Sequence, residues 1–372
     1  MRSTTATPLR SEAGFSLVEL LVTMGIFTVI MGATMGGLAD VIKGNDTVLQ
    51  MASMNNSVRA GMDLMVRDLL QVGSGLPSSH AVTIPNGAGA TQVRIPGPPL
   101  GATGVAEVFQ TAVGDTTLPA VIPFPRRGPT IDGVATDAIT VLMADNTFSN
   151  IALSSVASTN VVVVAGTNLT TGPDRVTPGQ LMQISKGSFN ILVQVTAVDA
   201  SARRITFAAG DSLNLNQTGA ASGNLAWLNA QAPVNSAAAT RIDRIRMISY
   251  YLAVPPSDPT HPRLMRRINN GDPLTFNNNL GTAVALDATD LQFAYDIVNG
   301  TNNPGDVEML SADLVGTGAC APDPCGPTQV RKINVAVTAR SANKVPPRMA
   351  YLHNTLESQV SLRGMAFVDQ YR

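Results

Sequence analysis

Residues 14–38 read "GFSLVELLVTMGIFTVIMGATMGGL". From residue 15 to residue 38 the chain runs for 24 residues with one charged side chain, Glu19. As an α-helix this run would be about 36 Å long, enough to cross a hydrocarbon core of about 30 Å. Arg2 and Arg10 precede it, and positive charge on that side predicts a cytoplasmic N-terminus. The acid is the anomaly. A carboxylate within hydrocarbon costs at least about 2.5–3.5 kcal/mol, so it is rarely placed there without a partner.

Three ordinary readings leave the acid unexplained. A secretory signal peptide could be cut near "GLA" at 37–39, but its apolar region is usually only about 7–15 residues. A plain membrane anchor gives Glu19 no role. A lipoprotein needs a Cys after the run, and none follows. By contrast, "GFSLVEL" (14–20) resembles the type IV prepilin signature of pilins and type II secretion pseudopilins. That resemblance implies cleavage by prepilin peptidase between Gly14 and Phe15, N-methylation of Phe15, and retention of the helix. It also implies that Glu19 docks subunits by meeting the Phe15 amine of a neighbour. Many major pilins kink this helix with a proline. Here Gly32, Gly36 and Gly37 occupy the equivalent region, either as a flexible substitute or to allow close helix packing.

Past Asp40 the sequence turns polar but keeps helical spacing. Met51, Met54, Val58, Met62, Met65 and Leu69 fall 3 or 4 apart and form one apolar stripe. Gly73, Gly75 and Pro77 then end the helix. The organisation read from sequence is a leader (1–14), a transmembrane helix segment (15–38), an amphipathic periplasmic helix (39–72) and a β-rich globular domain (73–372). Within the last, residues 85–130 are rich in Pro and Gly and read as a loop or insertion. Short β-branched runs at 138–144, 160–165, 180–185, 190–198, 203–208, 244–254, 263–268, 290–298 and 330–340 read as strands. Strands following one long helix predict an α+β class, with the helix packed on an antiparallel sheet. The 55–73 helix, the order of the strand runs and the C-terminal "SQVSLRGMAFVDQYR" are similar to PilW-type minor pilins.

Composition suits a β-rich, loop-rich domain of the kind often found outside the cytoplasm. Charged residues are 14%, against a usual level of about a quarter, and net charge is −1. Nothing global points to nucleic acid. No nucleophile elbow, H-E-x-x-H, P-loop or dinucleotide-binding glycine motif is present, so no enzyme activity and no cofactor are assigned. Cys320 and Cys325 would lie in an oxidising space and are expected to form a disulfide. The three histidines lack zinc-ligand spacing, and no metal is assigned. Asn/Asp-rich loops at 269–273 and 299–306 suit Ca²⁺ by donor type, but ordinary turn chemistry explains them equally. Alternating strand faces could align Arg244 and Arg246, with Arg266 beside them, as a strip for DNA phosphate. The plainer reading is a solvated face paired with Asp243.

The resemblance implies a minor pilin that enters a type IV pilus assembly through a priming or tip complex. Its partners would be other pilins and minor pilins, prepilin peptidase, the inner-membrane assembly platform and membrane lipid. It would sit as a single-pass inner-membrane protein with a periplasmic globular domain before reaching the pilus. The alternatives are a tip or membrane-anchored adhesin or DNA-binding protein, and a type II secretion minor pseudopilin.

Overall fold

A computed structural model describes residues 14, 16–99, 106–112, 114–172, 175–233, 237–269, 281–298, 303–345 and 349–365. The expected leader (1–14, apart from Gly14), Phe15, most of the 269–273 loop, residues 299–302 and the last residues of the C-terminal tail lie outside these. Helix α1 (Leu17–Leu69) has 53 residues and would be about 80 Å long. It runs unbroken through Gly32, Gly36 and Gly37. Its apolar side chains up to residue 49 are exposed. Burial begins at Met54 and continues through Val58, Met62, Met65 and Leu69, the predicted stripe. Met51 is the exception, 42% exposed, because the globular domain starts one turn beyond it. Gly61 lies on the same buried face, where a Cβ would come within 3.0 Å of Ala285 Cβ. The helix ends in a turn at Gly73 (φ 77), whose N–H bonds the Leu142 carbonyl at 3.0 Å.

Seven short strands follow: β1 (Ala81–Thr83), β2 (Arg94–Pro99), β3 (Ala106–Gln110), β4 (Thr117–Pro119), β5 (Val121–Phe124), β6 (Thr130–Ile131) and β7 (Val134–Ala135). Next come β8 (Ala138–Ala144), β9 (Ile151–Val156), β10 (Asn160–Val163), β11 (Leu181–Lys186), β12 (Phe189–Gln194), β13 (Ala197–Asp199) and β14 (Arg204–Thr206). A short helix, α2 (Leu225–Ala230), precedes β15 (Thr240–Ala253), β16 (Arg263–Ile268), β17 (Thr282–Leu286) and β18 (Ala288–Ile297). The chain closes with α3 (Ser311–Leu314), β19 (Val330–Arg340) and β20 (His353–Ser361).

All strand pairs are antiparallel, and β15 is the hub. Its 14 residues are long enough to serve two partners along each edge. β11 and β16 share one edge, at 240–245 and 248–253. β9 and β8 share the other. Both faces of β15 are covered. Ile248, Tyr250 and Leu252 pack with Met62, Met65 and Leu69 of α1 and with the separate sheet β18-β19-β20. Ile245, Met247 and Tyr251 face a second core built from Ile84, Ile95, Phe109 and Leu118. Residues 85–130 therefore do not form only a surface loop. Their strands cover the far face of the main sheet, and β5 pairs directly with β8. A third core lies between β10–β12, β14 and α2.

One polar cluster fastens the helix to this sheet. Asp68 is the buried acid of the α1 stripe. It accepts from Arg266 Nε at 2.6 Å, Arg266 Nη2 at 3.0 Å and Tyr250 Oη at 2.5 Å. Tyr250 and Arg266 are direct cross-strand partners on β15 and β16, so the sheet holds two donors ready for one helical carboxylate. Burial, then the Asp68 charge, pushes the Tyr250 phenol far above its usual range and keeps it a donor. Asp68→Ala strands the Arg266 charge in a largely buried site, which costs about 3–5 kcal/mol. Tyr250→Phe removes one hydrogen bond and costs less, about 1–3 kcal/mol. Denaturant unfolding of the detergent-solubilised chain checks this, and equal stabilities for the wild type and Asp68→Ala would refute the clamp.

Candidate functional site

Chemistry at the start of α1 follows from the capping needs of a helix. The first turn leaves backbone N–H groups without intrahelical partners. Ser16 is the N-cap, and its Oγ accepts from Val18 N at 3.4 Å. Glu19 reaches back, so its Oε2 accepts from Ser16 N at 3.0 Å. The pair forms a capping box, with the acid at the favourable end of the helix dipole. Thus Glu19 has an internal partner in the isolated chain, the main chain of Ser16. Phe15, whose freed amine the prepilin resemblance implies as the partner of Glu19, lies outside the described residues. Gly14 is exposed. Added Cβ atoms at Gly25, Gly32, Gly36 and Gly37 would meet nothing within 4 Å. The apolar half of the helix is therefore open on every side to lipid or to other helices.

The arginines divide differently from the sequence expectation. Arg244 and Arg246 do share a face of β15, but both converge on Asp145, at 3.0 Å and 2.8 Å. Arg244 is buried. It also donates to the Arg175 carbonyl at 2.8 Å and to Thr147 Oγ1, and it lies over the Phe148 ring. Burial alone would raise the Asp145 pKa. The Thr147 hydrogen bonds and the Arg246 and Arg244 charges outweigh it and hold the carboxyl below its usual range. Arg266 does not stand beside these two. The register sets it opposite Tyr250, four residues beyond Arg246, and it is bound to Asp68. Asp243 is not the arginines' partner either, since it accepts from Ser149 Oγ and Asn150 N. A continuous solvated strip of Arg244, Arg246 and Arg266 is absent from this arrangement.

Cys320 and Cys325 are joined as a disulfide, with Cα atoms 5.9 Å apart, and both are buried. The bridge ends a loop organised by Asp313 of α3, whose carboxylate accepts from Leu310 N at 2.9 Å and Ala319 N at 2.8 Å. Among the described residues, no group of three or more His, Cys, Asp or Glu side chains is placed to hold a metal ion. Asp306, from the 299–306 loop, bonds Asn334 Nδ2 at 2.6 Å. His261 pairs with Asp287 at 2.6 Å.

His80 is a site that sequence reasoning missed. It stands at φ 52, is 4% exposed, and neither ring nitrogen has a hydrogen-bond partner among the described residues. Burial, with the Arg331 charge second, lowers its pKa below 6.5. The unfolded chain takes up this proton first, so the contribution of neutral His80 is complete above pH 6.5 and is lost as pH falls below it. Unfolding free energy should therefore decline from pH 7 toward pH 5, and His80→Leu should flatten that decline. An unchanged pH profile in the variant would remove His80 as its source.

Residues 9–35 match the prokaryotic N-terminal methylation motif. No curated protein and no solved structure matches the chain. By that motif, and with a long N-terminal helix packed against a large antiparallel sheet domain, the chain is a type IV pilin- or pseudopilin-like protein.

Proposed function

We propose that the chain is a minor pilin of the PilW type. It is made as a prepilin in the inner membrane, cut between Gly14 and Phe15, and methylated at Phe15. It then enters a type IV pilus assembly through a priming or tip complex. The observation that carries this reading is the division of α1. One continuous helix exposes apolar side chains along its first half and buries an apolar stripe in a folded domain along its second. A removable signal sequence has no need to be covalently rigid with the domain, whereas a subunit that packs its helix into a filament core does. The methylation motif over residues 9–35 supports the same reading. The size of the globular region favours a low-copy position, since a domain of this bulk crowds neighbours at every repeat of a filament.

Glu19 is the docking residue in this account. In the separate chain its carboxylate bonds its own Ser16 amide. On assembly that bond is exchanged for the charged amine of a neighbouring subunit, which neutralises the acid inside an apolar bundle. The partners are other pilins and minor pilins, prepilin peptidase, the assembly platform and lipid.

N-terminal sequencing and intact mass of the protein from its native membrane should find a chain beginning at methylated Phe15. A chain beginning near Asp40 would mean a discarded signal peptide and would end the proposal. Glu19→Ala should leave the protein processed and in the membrane but deplete it from sheared filaments. Normal incorporation of that variant would remove the docking role.

A further inference from the structure

The small sheet β18-β19-β20 has two edges, and they are treated differently. The β18 edge is closed by its own chain. Tyr295 N donates to Val307 O at 2.8 Å, Val307 N to Tyr295 O at 2.9 Å, and Ile297 N to Pro304 O at 3.1 Å. Along β20, the described residues supply one paired strand, β19. The bonds Leu362 N to Arg331 O and Ser341 N to Leu352 O continue the β19–β20 register at its two ends. In an antiparallel ladder the bonded pairs alternate, so residues 354, 356, 358 and 360 turn their main chain toward β19. Thr355, Glu357 and Gln359 then turn theirs outward. No described residue bonds those outward groups.

Natural edge strands are usually blunted by Lys, Pro, a bulge or a covering element. β20 reads HNTLESQVS, with no Lys or Pro and a single charge, Glu357, and its nine pairs with β19 run without a register shift. α1 covers its inner face, where Leu356 packs with Met54 and Val58, and not this edge. The outer face carries a groove of about 630 Å³ lined by Glu357, Asp306 and Glu308 together with Gln292, Asn334 and Gln359. Glu308 is paired with Arg126, and nearby Lys332 with Asp296. Asp306 and Glu357 have no cation within ion-pair distance among the described residues.

We propose that β20 is a strand-addition site for an extended segment of another protein, one with Lys or Arg at alternating positions. The main chain of that segment would pair with Thr355, Glu357 and Gln359. Its alternate side chains, about 4.5–5.5 Å from those of β20, would line up on the groove side, where the carboxylates favour cations. The other side of the strand would carry apolar residues toward α1. None of this depends on the proposed pilus role, because edge and groove belong to the globular domain alone.

The test uses the full chain in detergent micelles and two nine-residue peptides, one alternating Lys and Val and the other Glu and Val. Amide hydrogen exchange is read at Thr355, Glu357 and Gln359. The Lys–Val peptide should slow exchange there by about ten-fold or more, and the Glu–Val peptide should not. Gln359→Pro removes one outward N–H at a position where an edge strand tolerates proline, and should abolish the protection. If that variant fails to fold, Glu357→Lys keeps the main chain and should weaken the Lys–Val effect. Absence of protection, or equal protection by both peptides, overturns the proposal. Protection that appears on concentrating the protein without peptide also overturns it, because the occupant would then be a second copy.

Discussion

Asp68 is where two solvents are reconciled. The helix that carries it begins with exposed apolar side chains and ends inside a folded core. An amphipathic stripe alone could slide along a sheet, since methionine and leucine contacts have little directional preference. A carboxylate held by two nitrogens of a guanidinium and by a phenol has a direction. It sets the depth and rotation at which α1 meets β15 and β16. Whatever the exposed half of the helix does is then mechanically joined to the domain.

The rest of the domain is arranged around the strand that supplies Tyr250. β15 is covered on one face by α1 and the three-stranded sheet, and on the other by the strands of the Pro/Gly-rich region. That is why its second half, 247–253, is a nearly continuous apolar run, as expected for a strand buried on both sides, while its first half carries Arg241, Asp243, Arg244 and Arg246. In that first half Arg244 and Arg246 share Asp145 as a partner. Pairing with Asp145 offsets the cost of burying Arg244, while Arg246 reaches the same carboxylate from an exposed position.

Much of the architecture was legible in the residues. The stripe from Met54 to Leu69 marked the packed face of the helix. β8, β16 and β19 coincide with the expected runs at 138–144, 263–268 and 330–340, because those segments are dense in branched and apolar residues. β20 was not legible as a strand. Only Leu356 and Val360 of its nine residues are apolar, and one half-buried face gives little signal. β2, β4 and β5 were hidden by their prolines, although Ile95 and Leu118 are buried. Proline is compatible with short edge strands, and local composition cannot tell these from loops.

The sequence by itself determined the class of the molecule. A 24-residue apolar run that begins at Phe15, directly after Gly14, with one acid at Glu19, requires a membrane-length helix and an explanation for the charge. Helical periodicity carried that reading into the domain, because spacing along one segment is a local property. Only the tertiary structure decided which arginine meets which acid, that the His80 ring is buried, and that no described strand pairs with the outer edge of β20. Those outcomes depend on strand register and on segments far apart in the chain, and no local pattern encodes them.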